Sequence, residues 1–188
     1  VTSLSAEAVL ATYHEDVVKR LRGHRRLVEK ALAQVTDEAF FRQPGDGSNS
    51  IAVIVKHLAG NMRSRFTDFL TTDGEKPDRD RDGEFELSGS VETREGLMGR
   101  WAEGFDRLFA SVEPLTAGDL GRTVTIAGEP HSVIGALNRH LAHFAYHAGQ
   151  ITYLARLWAG SEWKTVSIPK GGSAEYFAAV RRKHEGRG

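Results

Sequence analysis

The chain contains no cysteine. Disulfides, thiolate zinc sites and cysteine nucleophiles are excluded together, and the absence fits a reducing compartment. An excess of charge is missing too. Lysine plus arginine number 25 and aspartate plus glutamate 25, so the formal net charge is zero. No global field draws such a chain to nucleic acid or to an anionic membrane, and neither is expected as a partner. No apolar run approaches the ~20 residues that a membrane span needs. Val1 to Ala8 shows no basic segment followed by an apolar one, so no signal peptide is read there and the expected location is the cytoplasm. Internal repeats and low-complexity segments are also lacking.

What is present is an ordinary globular mix, 40% hydrophobic and 27% charged. Its length suits a single domain, residues 1–188, that buries its own core. Four long segments carry helical periodicity. The first spans about Ala6 to Val35, with Leu10, Val17, Leu21, Val28, Ala31 and Val35 on one face. The second follows the turn Pro44–Gly47, takes Ser48 or Ser50 as its cap and runs to about Leu70. Thr71 to Gly89 reads as a loop, and its charge run Asp78–Asp82 as solvated surface. The third helix spans about Val91 to Val112. Its Gly96, Gly99 and Gly104 either weaken it, by roughly 1 kcal/mol each, or mark close approach to a neighbour.

Thr123-Val-Thr-Ile126 is a good short strand signal, fitting a small hairpin or an extended link. The fourth helix begins near His131 or Ser132 and ends near Trp158, before Gly160. Its stripe of Ile134, Leu137, Leu141, Phe144, Ala148, Ile151, Ala155 and Trp158 is unbroken. A tail helix from Ala174 to about Arg182 follows, with Ser173 as its cap. These elements predict an all-α four-helix bundle with a short C-terminal helix and a small extended segment between the third and fourth helices.

Eight histidines are present. His143 and His147 stand four apart on the fourth helix, which stacks them on one face, ~6 Å between Cβ atoms. Two imidazoles so placed can share one ion. His140 lies three before His143 and seven before His147, and ~10 Å along the axis is too far for a shared ion. The helix therefore supplies one pair, 143/147 or 140/143, and a third ligand must come from elsewhere. His57 lies in a strip with Val53 and Asn61 beside the apolar face of the second helix. It completes a three-histidine set if that strip packs on the fourth helix. His14 and His24, near the inward side of the first helix, stay open as alternatives.

On these residues the chain resembles the DinB-like, or YfiT-like, metal-binding four-helix bundles. The resemblance rests on Lys56-His57-Leu58 and on His143-Phe-Ala-Tyr-His147-Ala-Gly-Gln-Ile151. Ser48-Asn-Ser-Ile-Ala-Val-Ile-Val-Lys-His57, Gly60-Asn-Met-Arg-Ser-Arg65, Asp73-Gly-Glu-Lys-Pro77 and Ser167-Ile-Pro-Lys-Gly-Gly-Ser173 carry it further, towards an uncharacterised bacterial subfamily. It covers nearly the whole chain. It implies that His57, His143 and His147 hold a divalent ion, zinc or nickel, with water in the open positions. His14, His24 and His140 do not match the ligand positions. Some relatives are transferases or isomerases that use low-molecular-weight thiols, many have no known activity, and relatives form dimers. Trp158 and Trp163 are candidates for such a homodimer interface.

Three neutral ligands plus water mark a catalytic rather than a structural site. Such an ion lowers the pKa of a bound water or thiol. The expected activity is therefore that of a metal-dependent enzyme, thiol transferase-like or hydrolase-like, with a non-catalytic metal-binding or stress-response protein as the alternative. Any thiol must be a small molecule, since the chain has none. Asn61, Tyr146 and Gln150 read as helix-packing polarity, with Gln150 a candidate partner for His147. Asp82, Glu84 and Glu86 read as solvated loop, although they can bring a carboxylate to the site. Arg63, Arg65 and Arg139 are candidate cations beside it, and arginines on helices are ordinarily solvated. The turn Lys170-Gly-Gly-Ser173 reads as a plain cap.

Overall fold

Serine or threonine opens each helix of the bundle, because the first turn of a helix leaves amide protons unsatisfied. Ser5 accepts from the Ala8 amide at α1 (Ala6–Leu32), Thr36 from Ala39 at the short α2 (Asp37–Phe41), and Ser50 from Val53 at α3 (Ile51–Phe66). Thr93 accepts from Gly96 at α4 (Arg94–Val112). Between α4 and α5, strands β1 (Thr123–Ile126) and β2 (Glu129–Ser132) form an antiparallel hairpin, with Thr123 opposite Ser132 and Ile126 opposite Glu129. Ser132 then caps α5 (Val133–Ala159), which stops at Gly160 with φ 55°. The tail helix α6 (Ser173–Glu185) buries none of its residues. The computed structural model describes residues 4–88 and 92–185.

The core is the set of stripes read from the sequence. Val17, Leu21 and Val28 of α1, Val55, Leu58 and Met62 of α3, Leu97, Trp101 and Phe105 of α4, and Leu137, Phe144 and Ile151 of α5 are all buried. Within the bundle α3 packs mainly on α4, and α1 on α5. Of the three α4 glycines only Gly104 marks a close approach. A Cβ there would sit 3.0 Å from Met62 Cε and 3.4 Å from the Ala59 carbonyl oxygen, whereas Gly99 faces open space.

The four-helix bundle is as expected, and the differences are at element ends. The first helix stops at Leu32 instead of Val35, because Thr36 caps the separate α2. The second stops at Phe66 instead of Leu70, where the chain turns and Asp68 takes φ 49°. The expected loop end at Gly89 and helix start at Val91 lie outside the described residues; α4 itself begins at Arg94. Ser173 is the first residue of α6, not its cap, and that helix continues to Glu185. Trp158 and Trp163 pack against the chain's own core, with the Arg42 guanidinium 4.3 Å over the Trp158 ring. The large apolar side chains left exposed include Tyr153 and Leu157 of α5 and Tyr176 and Phe177 of α6. Among the described residues no helix is long and apolar enough to cross a membrane.

α3 and α5 run antiparallel. The His57 ring lies 5.0 Å from that of His147, and Phe66, further along α3, lies 4.7 Å from His140, further back along α5. His140 is fully buried, and neither ring nitrogen has a hydrogen-bond partner. Burial first, then the charges of Arg65 and His143, lowers it to about 3. The unfolded chain therefore binds a proton near pH 6.5 that the folded chain refuses until about pH 3, so stability is full above 6.5 and drains away as pH falls through this window. Replacing His140 with Leu should flatten that loss by on the order of a few kcal/mol, measured as urea midpoints at pH 7 and pH 4.5. Parallel acid sensitivity in the two proteins would refute it.

Candidate metal centre

The antiparallel packing sets the strip Val53, His57, Asn61 of α3 against α5, the arrangement on which the three-histidine reading depended. His57 and His147 are 4% and 8% exposed and His143 is half-buried. One ring nitrogen from each comes within 4.8 Å of the others. The Nε2 atoms of His57 and His143 are 3.1 Å apart. Nitrogens bound at ~2.0–2.1 Å to one ion stand about this far apart, so the pair fits neighbouring positions of a coordination shell.

Hydrogen bonds fix which nitrogen each ring offers. His57 Nδ1 donates to Glu84 Oε2 at 2.9 Å, and His147 Nδ1 donates to Gln150 Oε1 at 2.7 Å. Both rings therefore present Nε2, with its lone pair, to the shared space. Burial first, then His147 and His57, lowers His143 to about 4; burial likewise lowers His147 against the opposing Gln150 bond. These two rings are neutral at neutral pH, the state in which imidazole binds metal. The donor set fits a divalent metal ion. Among the described residues no further histidine or carboxylate joins the cluster.

Glu84 is the residue that sequence reasoning placed wrongly. It sits in a short 3₁₀ turn, Gly83–Phe85, and is 6% exposed rather than solvated. Arg79 binds it through Nε at 2.8 Å and Nη2 at 2.8 Å, and binds Glu75 at 2.9 Å. Burial pushes the Glu84 carboxyl up, but the bonds from Arg79 and His57 outweigh it and hold it below the usual range. The charge run thus supplies Arg79 to a buried ion pair with Glu84. Its signal lies one turn beyond His57: Gly60 is a gap in the helix, and a Cβ there would overlap Glu84 Oε1 and stand 2.7 Å from its Cδ.

The loop reaches this position because Asp73 clasps the hairpin. Its carboxylate accepts from the Ala127 and Gly128 amides, each at 2.8 Å, and from Glu75 at 2.7 Å. Ala127 and Gly128 both have positive φ, 54° and 79°, as a two-residue hairpin turn requires. Gly74 adds an amide bond to the Thr125 carbonyl at 2.7 Å.

The other candidates separate clearly. Gln150 does hold His147, so it is more than packing polarity. Asn61 is 5% exposed with Oδ1 unpartnered. Tyr146 is 64% exposed, its ring edge 4.9 Å from His147. Asp82, Glu86 and Lys170 are exposed. His14 donates from Nε2 to the Val112 carbonyl at 2.8 Å, closing the end of α4, and His24 stacks on Phe144. Arg63 pairs with Asp78 and Arg139 with Glu129, both at the surface, whereas Arg65 is buried. A cleft of about 440 Å³ between α3, α4 and the loop touches this centre through Glu84, Arg79 and Gly60 and is lined by none of the three histidines.

If Gly60 exists to admit Glu84, filling it should be harmful despite alanine's better helix propensity. Gly60→Ala should cost about 1–3 kcal/mol by overpacking, while Gly99→Ala should gain up to ~1 kcal/mol. Urea midpoints of the two variants decide this, and a Gly60→Ala protein as stable as the parent would contradict the cradle.

Comparison with known proteins bears on fold and family. Comparison with curated proteins gives no match. YfiT from Bacillus subtilis, described as a probable metal-dependent hydrolase with an unusual four-helix bundle topology, superposes with a TM-score of 0.65 at 22% identity, covering 86% of this chain and 93% of that one. At that identity the likeness establishes the shared bundle. The model of the DUF1572 family, proteins of unknown function, matches residues 8–172, and the chain belongs to that family.

Proposed function

We propose that this protein is a metal-dependent hydrolase acting on a small molecule, with a divalent ion held by His57, His143 and His147. The observation that carries the reading is the inward-turned pair of Nε2 atoms 3.1 Å apart, one of them fixed by a buried carboxylate. Two lone pairs held this close repel unless a cation or proton lies between them. A divalent ion among three neutral imidazoles supplies Lewis acidity that brings water into a usable pKa range near neutral pH. The relative with the same fold is described as a probable metal-dependent hydrolase, which supports the same reading here.

The chain's own residues prepare the site. Glu84 keeps the Nδ1 proton on His57, and Arg79 keeps Glu84 ionised, so the ring cannot swing or change tautomer. Gln150 does the same for His147 without adding charge. Because the buried carboxylate described at these rings, Glu84, is already neutralised by Arg79, the positive charge of an ion held there would stay available to a substrate. A thiol-transferring enzyme would share these features, and a thiol as co-substrate is distinguished by assay.

Protein purified without an affinity tag and equilibrated with zinc or nickel should hold about one ion per chain by elemental analysis. Ala at His57, His143 or His147 should abolish tight binding, while His140→Ala should retain it. Glu84→Gln should weaken affinity by about 10–100-fold. Loaded protein should hydrolyse members of a panel of activated esters, amides and lactones, with no thiol required. Turnover only with an added small thiol would replace hydrolase by transferase. A folded protein that stays empty would end both readings, and a loaded but inert one would favour a metal-binding protein without catalysis.

A further inference from the structure

Arg65 is the anomaly of this fold. It is 5% exposed, and among the described residues it forms no hydrogen bond and no ion pair. Other sheltered arginines are satisfied: Arg79 by Glu84 and Glu75, and Arg94 by the Leu32 and Val35 carbonyls. The acids whose fields reach Arg65 are Glu75 and Asp73. The first is bound to Arg79 and the second to the hairpin amides. Burial, then Arg139 and Arg79, lowers Arg65 to about 10, so it remains a cation at neutral pH. An enclosed cation without a counter-charge is strongly unfavourable unless something supplies one.

Its surroundings are equally unspent. His57, Asn61 and Arg65 recur every four residues on α3, hence on one face, and helical side chains lean towards the N-terminus. Arg65 therefore shares the face that carries Asn61 and His57, and its charge is felt at His143 and His140. Asn61 Oδ1 and both nitrogens of His140 are buried without partners. The backbone of Gly74 closes over Arg65 Nε, which lies 3.5 Å from where a Cβ would stand. Three neighbouring side chains, each about nine-tenths buried or more, thus hold a guanidinium Nε, an amide oxygen and a neutral imidazole with no partner among the described residues.

We propose that Arg65, with Asn61 and His140 beside it, is the subsite that takes the carboxylate of the substrate, while the histidine centre takes the bond to be cleaved. This assignment rests on the hydrolase reading for its second half only. The guanidinium fork matches a planar carboxylate with two parallel hydrogen bonds. One buried positive charge is balanced by one negative charge, so a monoanionic carboxylate suits it better than a phosphate dianion. The unpaired Asn61 oxygen calls for a donor next to that carboxylate, such as the N–H of an amide or a hydroxyl. The substrate class is therefore a small carboxylic acid carrying a hydrolysable amide or ester.

The test uses the full chain in chelator-treated and zinc-loaded forms, with benzoate as probe and inorganic phosphate as its rival. In the metal-free form benzoate should bind saturably and shift the Arg65 Nε–H resonance in ¹H–¹⁵N spectra. R65Q and R65K should weaken binding about tenfold or more, the worth of a charged hydrogen bond. R63Q, at the exposed pair with Asp78, should leave it unchanged. No saturable binding to the metal-free chain, or binding that survives in R65K, overturns the subsite. Tighter binding of phosphate overturns the carboxylate assignment. If R65Q does not fold, the wild-type resonance and R65K still decide. Zinc stoichiometry measured on the same samples reports separately on the metal reading, so either can fail alone.

Discussion

A single carboxylate, that of Glu84, joins the candidate metal centre to the rest of the molecule. It is the point where a loop, a helix and a candidate ligand, His57, meet: two bonds from Arg79, one from His57, and a space made by Gly60. None of these parts is stable alone. A buried carboxylate without Arg79 would take up a proton, and a buried guanidinium without Glu84 would be an uncompensated charge. With both in place the pair is nearly neutral, and what reaches the ring is orientation more than field. The histidine is held by a charge whose influence has been largely cancelled.

The same logic separates the two arginines that approach this region. Arg79 is closed on both sides by carboxylates, whereas Arg65 has none. The first serves rigidity. The second leaves a positive field on the side where His140 and His143 are neutral. Antiparallel packing of α3 on α5 produces this gradient, because it sets His57 beside His143 and His147 and the Arg65–Phe66 end of α3 beside His140.

The bundle was readable because its stripes are long and regular: a period sustained from Ile134 to Trp158 leaves little choice of face. Spacing within one helix narrowed the candidate pair on α5 to 143/147 or 140/143, since helix geometry fixes which histidines share a face. The third member needed more, because no local rule says which helix packs on which; His57 came from a resemblance. Glu84 could be named only as one of three loop carboxylates able to reach the site, with solvated surface preferred for all three. Its neighbours Asp78 to Asp82 have the pattern of a solvated run, and what buries it is a gap one turn past His57 on another element. Loop residues are placed by tertiary contacts, and those leave no period to read. Arg65 fails differently: composition shows an arginine, but only the fold shows that no carboxylate among the described residues pairs with it.

The clasp of Asp73 on the Ala127–Gly128 turn has a consequence for how this chain can change over time. The segment from Asp73 to Glu84 is tied at both ends, to the hairpin at one and to His57 at the other. Length cannot be added or removed inside it without tearing one attachment, so variation in this connection is steered to the stretch before Asp73. The hairpin turn is bound by the same restriction. A lengthened turn would present its amides elsewhere and release the loop. Two surface segments that look free to drift are thereby obliged to drift together.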